Sequence, residues 1–501
     1  MRRRSRRVSR SAGEPDLLDV DRRSFLKAGT LAVAGALLPS VGCGPDEARR
    51  PGNRRPNILL IITDDLSYRS IGYAPGSAVR TPHLDRMAAG GMIFDAAYCN
   101  AMPCAPSRGS IMSGLYWHRF RHASRVAWSN LRVGEWTWAH ALRAAGYRTS
   151  LIGKMHFDPM RGDHGFEHAE YCEHRFSRSI PEGAPFEDDY EIWLSEHGLK
   201  DPHKSMQLWP YDARFHPISW VRERSIAYLE DRKKADEPFC LTVSFRYPHP
   251  PFDPPPSFAK LYDPRSIHVP TDSWRDMEDL PPKLARLDGK GFFPRESKTV
   301  EFLQRRFALY YALITQIDSA VGSIMDHVDP TNTLVFFTSD HGVYLGHRGR
   351  IGKHPFIPFD DIARVPFFAC GYDVPAGTRT GNTVGLVDLA PTFLTAAGID
   401  VPEALDGVPL QNYFRDARYG EDRPVFCRGL TVFSMLRIGM HKYFRSRDST
   451  EEMLFDLATD PGEVRNLARQ PQWSGTKAAL AETYLEIKGR APADLPRFAS
   501  A

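Results

Sequence analysis

Asn57-Ile58-Leu59-Leu60-Ile61-Ile62-Thr63, followed at once by Asp64-Asp65, is the stretch on which the fold turns. An apolar run with no alternation suits a strand buried on both faces, as in parallel sheets. Its two terminal carboxylates then face the cleft at the C-terminal strand edge, where ligands of such sheets sit. Outward from it, Thr81-Pro82 supplies an N-cap and an N1 proline for a helix through residue 89. Residues 92–98 read as strand, 135–145 as helix, 147–152 as strand and 239–245 as strand after an amphipathic helix at 221–229. A long helix, 300–325, leads into strand 333–338. This alternation predicts an α/β fold, a large mixed, mostly parallel sheet sandwiched by helices, over residues 56–398. Segments 158–219 and 247–294 read as long loops over the strand ends. From Asp388 a helix runs to residue 398. Beyond it, strand-like pieces at 423–428, 431–438 and 442–445 and a helix at 477–487 predict a small α+β C-terminal domain, 399–501.

With 42% hydrophobic and 25% charged residues, the 501-residue chain has an ordinary soluble composition. Its net charge of +4 resides in the first 27 residues, which hold nine basic and four acidic groups; the remainder is near neutral. That excludes a nucleic-acid footprint. Seven cysteines, at 43, 99, 104, 172, 240, 370 and 427, are odd in number and too few for a disulfide scaffold. At least one is therefore free, lipidated or chemically special.

Asp21-Arg22-Arg23-Ser24-Phe25-Leu26-Lys27 precedes an uncharged stretch, 28–45, that is short for a membrane span. It resembles a twin-arginine export signal over residues 1–45, which implies the twin-arginine machinery as a partner and a periplasmic or envelope location. Leu37-Leu38-Pro39-Ser40-Val41-Gly42-Cys43 looks like a degenerate lipobox, with Ser40 where such boxes prefer leucine. A lipid on Cys43, the one membrane link, stays open.

Thr338-Ser339-Asp340-His341-Gly342 ends a second apolar strand. Adjacent carboxylates repel unless a cation joins them, so two such strand ends suggest an oxygen-rich cation site. Helix-capping loop starts are the plainer alternative. In Pro103-Cys104-Ala105-Pro106-Ser107-Arg108-Gly109-Ser110-Ile111-Met112-Ser113-Gly114, a helix beginning at Pro106-Ser107 would put residue 104 at a positive N-terminus that favours an anion. A Cys104 thiolate nucleophile and a Cys99–Cys104 disulfide are the other readings of that thiol.

This segment resembles the signature of the type I sulfatases, Cys-x-Pro-Ser-Arg followed by Thr-Gly-Arg, although the second half here reads Ser113-Gly114-Leu115. Gly153-Lys154-Met155-His156 resembles the family's Gly-Lys-x-His, and Tyr247-Pro248-His249-Pro250-Pro251-Phe252 its Pro-His-x-Pro-Phe. Ser339-Asp340-His341-Gly342 and Lys353 follow in family order, and Leu454-Phe455-Asp456-Leu457 with Asp460-Pro461-Gly462-Glu463 and Asn466-Leu467 resembles its C-terminal signature. The resemblance spans 56–467 and implies an alkaline-phosphatase-like fold. It further implies that a maturase oxidises Cys104 to formylglycine, whose hydrate is the nucleophile. Asp64, Asp65, Asp340, His341 and residue 104 would ligate a cation. Ca²⁺ is expected, and the nitrogen donor leaves Mg²⁺ or Mn²⁺ open. Arg108 and Lys154 would hold the diol, with Asp340 as base. Lys154, His249 and Lys353 would bind substrate, the latter two protonating the leaving alcohol. His156 would take the proton of the second hydroxyl as sulfate departs. The implied substrate is a sulfate ester of a carbohydrate or aryl alcohol. A phosphonate monoester or phosphodiester hydrolase of the same superfamily, and a non-catalytic envelope binding protein, are the rival readings.

Overall fold

The computed structural model describes residues 55–120, 131, 133–157, 159–173, 188–202, 206–270, 276–286, 299–430 and 432–496; the leader, with Arg22, Arg23 and Cys43, lies outside them. The apolar run forms β1 (Asn57–Asp64). Then come β2 (Met92–Tyr98), β3 (Arg148–Gly153), β4 (His168–Tyr171), β5 (Phe239–Pro248) and β6 (Thr333–Ser339). A small ladder, β7 (Tyr344–Leu345) with β8 (Ile351–Gly352), precedes β9 (Phe367–Gly371) and β10 (Thr378–Gly385). Eight of these make one sheet in the order β10-β2-β9-β6-β1-β5-β3-β4. Among its pairings only those of β9, with β2 and β6, are antiparallel. The expected mixed, mostly parallel sheet is thus observed.

Side-chain alternation along β1 divides the core in two. Ile58, Leu60 and Ile62 face a layer containing helices Cys104–Ser113, Trp138–Ala144 and Leu389–Ala396, whereas Leu59 and Ile61 face helices Pro82–Ala89, Pro217–Arg232 and Val300–Met325. All five are fully buried, each contributing about 1.5–3 kcal/mol relative to exposure.

Several local expectations shift. Helix Cys104–Ser113 begins at Cys104 rather than Pro106. Proline is tolerated inside a first turn because the amide it lacks would have no intrahelical partner there. Thr81 does not cap helix Pro82–Ala89; its hydroxyl donates to Asp85 (2.8 Å) and accepts from the Gly72 amide (2.7 Å). Segment 158–219 holds β4 and helix Asp189–Glu196 rather than loop alone. Among the described residues of 247–294 the α-helices are one turn long, Pro256–Ala259 and Pro282–Ala285. Strands β9 and β10 add to the strands expected from the sequence. One is five residues long, and the other is a polar, irregular edge strand with no clean apolar pattern.

At the C-terminal end, β11 (Val425–Cys427), β12 (Phe433–Ile438), β13 (His441–Ser446) and β14 (Glu452–Asp456) form an antiparallel sheet. Leu436, Tyr443 and Leu454 on one face meet Leu480, Tyr484 and Ile487 of helix Ser474–Gly489. Met435, Phe444, Met453 and Phe455 on the other join the main core. A buried ion network seals this junction. Lys442 Nζ lies 2.6 Å from both Asp360 Oδ1 and Glu463 Oε1, and Arg348 bridges Asp361 and Glu463 at 3.1 Å each. Lys442→Met is expected to destabilise the protein by about 3–5 kcal/mol, because two buried carboxylates lose their shared cation. An unchanged urea midpoint would contradict this.

Candidate active site

Four neighbouring strands of the sheet, β6-β1-β5-β3, deliver their C-terminal ends to one cleft. Asp64 ends β1 and Asp65 follows it, Asp340 and His341 follow β6, His249 follows β5, and Lys154 to His156 follow β3. Gly153 is required at its turn. It has φ +116°, and a Cβ there would lie 1.9 Å from the Ser244 carbonyl oxygen, the acceptor of the Lys154 amide (2.9 Å). Asp65 and His156 take left-handed backbone, φ 64° and 58°, which non-glycine residues hold only where the surroundings enforce it. For Asp65 the restraint is Tyr310, whose hydroxyl donates to the Asp65 carbonyl (2.7 Å) and accepts from the Ser67 amide (3.0 Å).

Cys104, nearly buried, stands in the first turn of its helix. Its Sγ is 3.0 Å from Lys353 Nζ, 3.1 Å from His341 Nε2 and 3.5 Å from Asp64 Oδ1. The Cys99 thiol instead faces Cys427, Sγ to Sγ 3.9 Å, and both are free thiols. The Cys99–Cys104 disulfide reading is therefore set aside. Arg108, fully buried, locks the strands together. Its Nε donates to Asp340 Oδ2 (2.9 Å), Nη2 to Asp64 Oδ2 (3.1 Å), and Nη1 to Ser244 Oγ (2.8 Å) and the Lys154 carbonyl (2.6 Å). Lys154 Nζ pairs with Asp64 Oδ2 at 2.5 Å, close in distance but outside hydrogen-bond alignment. Lys353 Nζ also reaches Asp65 Oδ1 at 3.1 Å, and His249 Nε2 lies 4.0 Å from Asp65 Oδ2.

The ligating atoms of Asp64, Asp65, Cys104 and His341 all lie within 4.8 Å of one another, a cluster that could hold a metal ion. Two carboxylates and an imidazole suit a divalent cation. Asp340 stands behind this cluster. Its Oδ1 accepts from the His341 and Asp65 amides (2.8 and 3.4 Å) while Oδ2 is held by Arg108.

Charge sets the protonation states. Burial pushes Asp64 and Asp65 up, but Lys154, Arg108 and Lys353 around the first, and Lys353 and His341 around the second, outweigh it and hold both below the usual carboxylate range. Burial and neighbouring Asp64 push Asp340 up. Burial opposes the charge on His341, yet Asp340, Cys104 and Asp65 raise it to about 10. Burial and Lys154 hold His156 well below its ordinary value, and burial with Lys353 lowers His249 to about 3. Both are neutral imidazoles at neutral pH.

All ten residues singled out in the sequence converge here. Four others support the site without having been assigned a role from the sequence. Ser107 donates to the Asp340 carbonyl (2.5 Å), and Ser244 donates to the Lys154 carbonyl (2.5 Å); Tyr310 and Glu173 are the others. Ser107 was signalled by its place in the Cys-x-Pro-Ser-Arg run; the rest lie in segments whose pattern reports only burial.

Four adjacent strand ends of a mostly parallel sheet thus gather a cluster that could hold a cation beside the cations Arg108, Lys154 and Lys353. The sulfatase family model matches residues 56–399, and the chain belongs to the sulfatase family. It is 30% identical over 476 residues to the arylsulfatase of Clostridium perfringens (strain 13 / Type A), covering 87% of this chain and 95% of that protein. It is 30% identical over 449 residues to the choline-sulfatase of Rhizobium meliloti (strain 1021), covering 85% of each. Among solved structures, the phosphonate monoester hydrolase of Agrobacterium radiobacter superposes with a TM-score of 0.72 at 23% identity, over 87% of this chain and 96% of that one. That likeness is one of fold.

Proposed function

We propose that this protein hydrolyses a sulfate ester of a carbohydrate or aryl alcohol, releasing the alcohol and inorganic sulfate. The observation that carries the reading is Cys104 itself, in the first turn of a buried helix with Lys353, His341 and Asp64 around its sulfur. Arylsulfatase and choline-sulfatase relatives over most of the chain support the same class.

Cys104 in this setting is the substrate for a formylglycine-generating maturase, and the resulting hydrated aldehyde supplies the nucleophilic oxygen of a covalent route. Arg108, immobilised by four hydrogen bonds, and Lys154 hold negative charge beside residue 104. Asp340, pushed up by burial, is suited to accept the first proton. Lys353 and His249 face Asp65 on the open side and bind the sulfate oxygens. An anionic ester beside His249 favours its imidazolium, which then protonates the leaving oxygen. His156, neutral, takes the proton of the second hydroxyl. Asp64, Asp65, His341 and residue 104 would hold the cation, Ca²⁺ or, through the imidazole, Mg²⁺ or Mn²⁺, with Asp340 completing or orienting the set. The cation would supply Lewis-acid polarisation.

Charge balance favours a monoanionic ester. Arg108, Lys154, Lys353 and a divalent ion against three aspartates give a formal sum of about +2, with fewer cationic clamps than phosphoryl transfer usually employs. Rates on 4-nitrophenyl sulfate, 4-nitrophenyl phosphate and a phenylphosphonate monoester test this. The sulfate is expected to lead in kcat/KM. A phosphorus ester ahead by more than about tenfold, or ~1.4 kcal/mol, would transfer the assignment to the phosphonate reading. The non-catalytic envelope reading requires that no ester turns over after maturation.

We also infer export through the twin-arginine route, which carries folded chains and so allows Cys104 to be modified first. Arg22→Lys with Arg23→Lys is expected to leave the protein in the cytoplasmic fraction. Undiminished export of that variant would refute the route.

A further inference from the structure

Behind the Lys154-Met155-His156 turn stands a carboxylate with no role so far. Glu173, just past β4, is 1% exposed. Its Oε1 accepts hydrogen bonds from the Met155 and His156 amides at 2.6 and 2.7 Å, and its Oε2 lies 3.9 Å from His156 Nε2. Glu173 is itself held rigidly. Its amide donates to Asp188 Oδ2 (2.5 Å), and its carbonyl accepts from Arg246 Nη1 (3.0 Å). Arg246, fully buried, is ion-paired with buried Asp201 and lies three residues before His249 on β5. One network therefore ties the ends of β3 and β5.

Holding two amides does not need a charge. A neutral amide or carbonyl oxygen would accept both hydrogen bonds at a smaller desolvation cost than a buried carboxylate. The second oxygen, turned toward the imidazole, gives the charge a function. We propose that Glu173 is the positioning residue of His156: Oε1 sets the left-handed turn, while Oε2 orients the ring and stabilises the imidazolium formed when His156 accepts a proton. This rests on the reading of His156 as proton acceptor. One proton passes from the hydroxyl on residue 104 to the ring; Glu173 stays ionised, and the imidazolium returns the proton to water before the next cycle. A buried acid behind a catalytic histidine works in this way without being protonated. It also selects the tautomer, placing N–H at Nε2. The 3.9 Å separation is long for a hydrogen bond, and such contacts commonly tighten when substrate is bound.

Glu173→Gln is the test, because glutamine keeps an oxygen for the two amides and nearly the same volume while removing the charge. With matured enzyme and 4-nitrophenyl sulfate, kcat is expected to fall about 10–100-fold, as for other residues that orient a catalytic ligand. KM should fall together with kcat, leaving kcat/KM within about twofold of wild type, and a burst of 4-nitrophenol should appear as the second half-reaction becomes limiting. The thermal midpoint should stay near that of wild type. Independently of turnover, the ¹⁵N histidine spectrum should show the Nε2–H tautomer of His156 in wild type and its loss in the variant, with the resonance assigned by comparison with His156→Ala. The double variant should be no slower than His156→Ala alone. Unchanged kcat and tautomer in Glu173→Gln, with His156→Ala inactive, would overturn the role of Glu173 alone. If His156→Ala instead retains wild-type kcat, the reading of His156 falls first and takes the proposal with it.

Discussion

Cys104→Ala is expected to abolish turnover of an aryl sulfate, by about 10⁴-fold or more, the scale on which a covalent enzyme loses its nucleophile. Stability should barely change. Alanine keeps the Cβ at the helix start, and Lys353 and Asp64 retain partners besides the sulfur, in Asp65 and in Arg108 and Lys154 respectively. The cost is that of deleting one methyl-sized group, about 1 kcal/mol. Cys104→Ser should also be inactive unless a serine-type maturase is present, since the aldehyde is made from the side chain. Intact mass of the peptide bearing residue 104, compared between wild type and variants, checks that maturation is what separates them. A variant with a greatly lowered thermal midpoint would mark Cys104 as structural. A fully active variant would end the covalent reading.

Asp64→Asn is expected to cost both activity and about 3–5 kcal/mol of stability, the usual consequence of removing one member of a buried ion cluster. Asp64 is the counter-charge of both Arg108 and Lys154, and neither can reach water. The effect should depend on pH in a defined sense. Because Asp64 in the folded protein is held below its unfolded value, its stabilisation is complete above about pH 4 and lost as pH falls through the lowered folded value. The difference in thermal midpoint between wild type and variant should thus be full at pH 7 and narrow in acid. Chelation of divalent ions should lower activity and midpoint in the wild-type protein, leaving Asp64, Asp65 and His341 without a shared cation. Equal midpoints at pH 7, or full activity after metal removal verified by elemental analysis, would contradict the assignment.

How far residues alone foretold this arrangement differs from element to element. The β1 run was unambiguous because seven consecutive non-charged residues tolerate no solvent face, and every one of its central side chains is buried. Strand β10, Thr-Arg-Thr-Gly-Asn-Thr-Val-Gly, carries the same sheet at its edge yet shows little apolar pattern, because one side of an edge strand answers to water. Helix Val300–Met325 agrees with the expected span of about 300–325; its apolar face is continuous, and Thr299 caps it by accepting from the Phe302 amide. Helix Trp138–Ala144 proved shorter than its apolar spacing suggested, because Thr137 caps it three residues into the periodic stretch.

Residue identity and order specified the strand ends, the Cys104 to Arg108 helix and the ten polar groups with chemical capacity, because each is a local property of a short stretch. Contacts between them were decided elsewhere. Asp65 and Asp340 are 275 positions apart in the chain, and they meet because β1 and β6 pair in a register that sets Thr63 opposite Ser339. Glu173 follows a four-residue strand with no marking pattern, and becomes part of the site only because β4 pairs with β3 so that Gly153 lies opposite Tyr171. Periodicity reports how a residue relates to its sequence neighbours, whereas the partner of a buried charge is set by strand register and helix packing over the whole sheet.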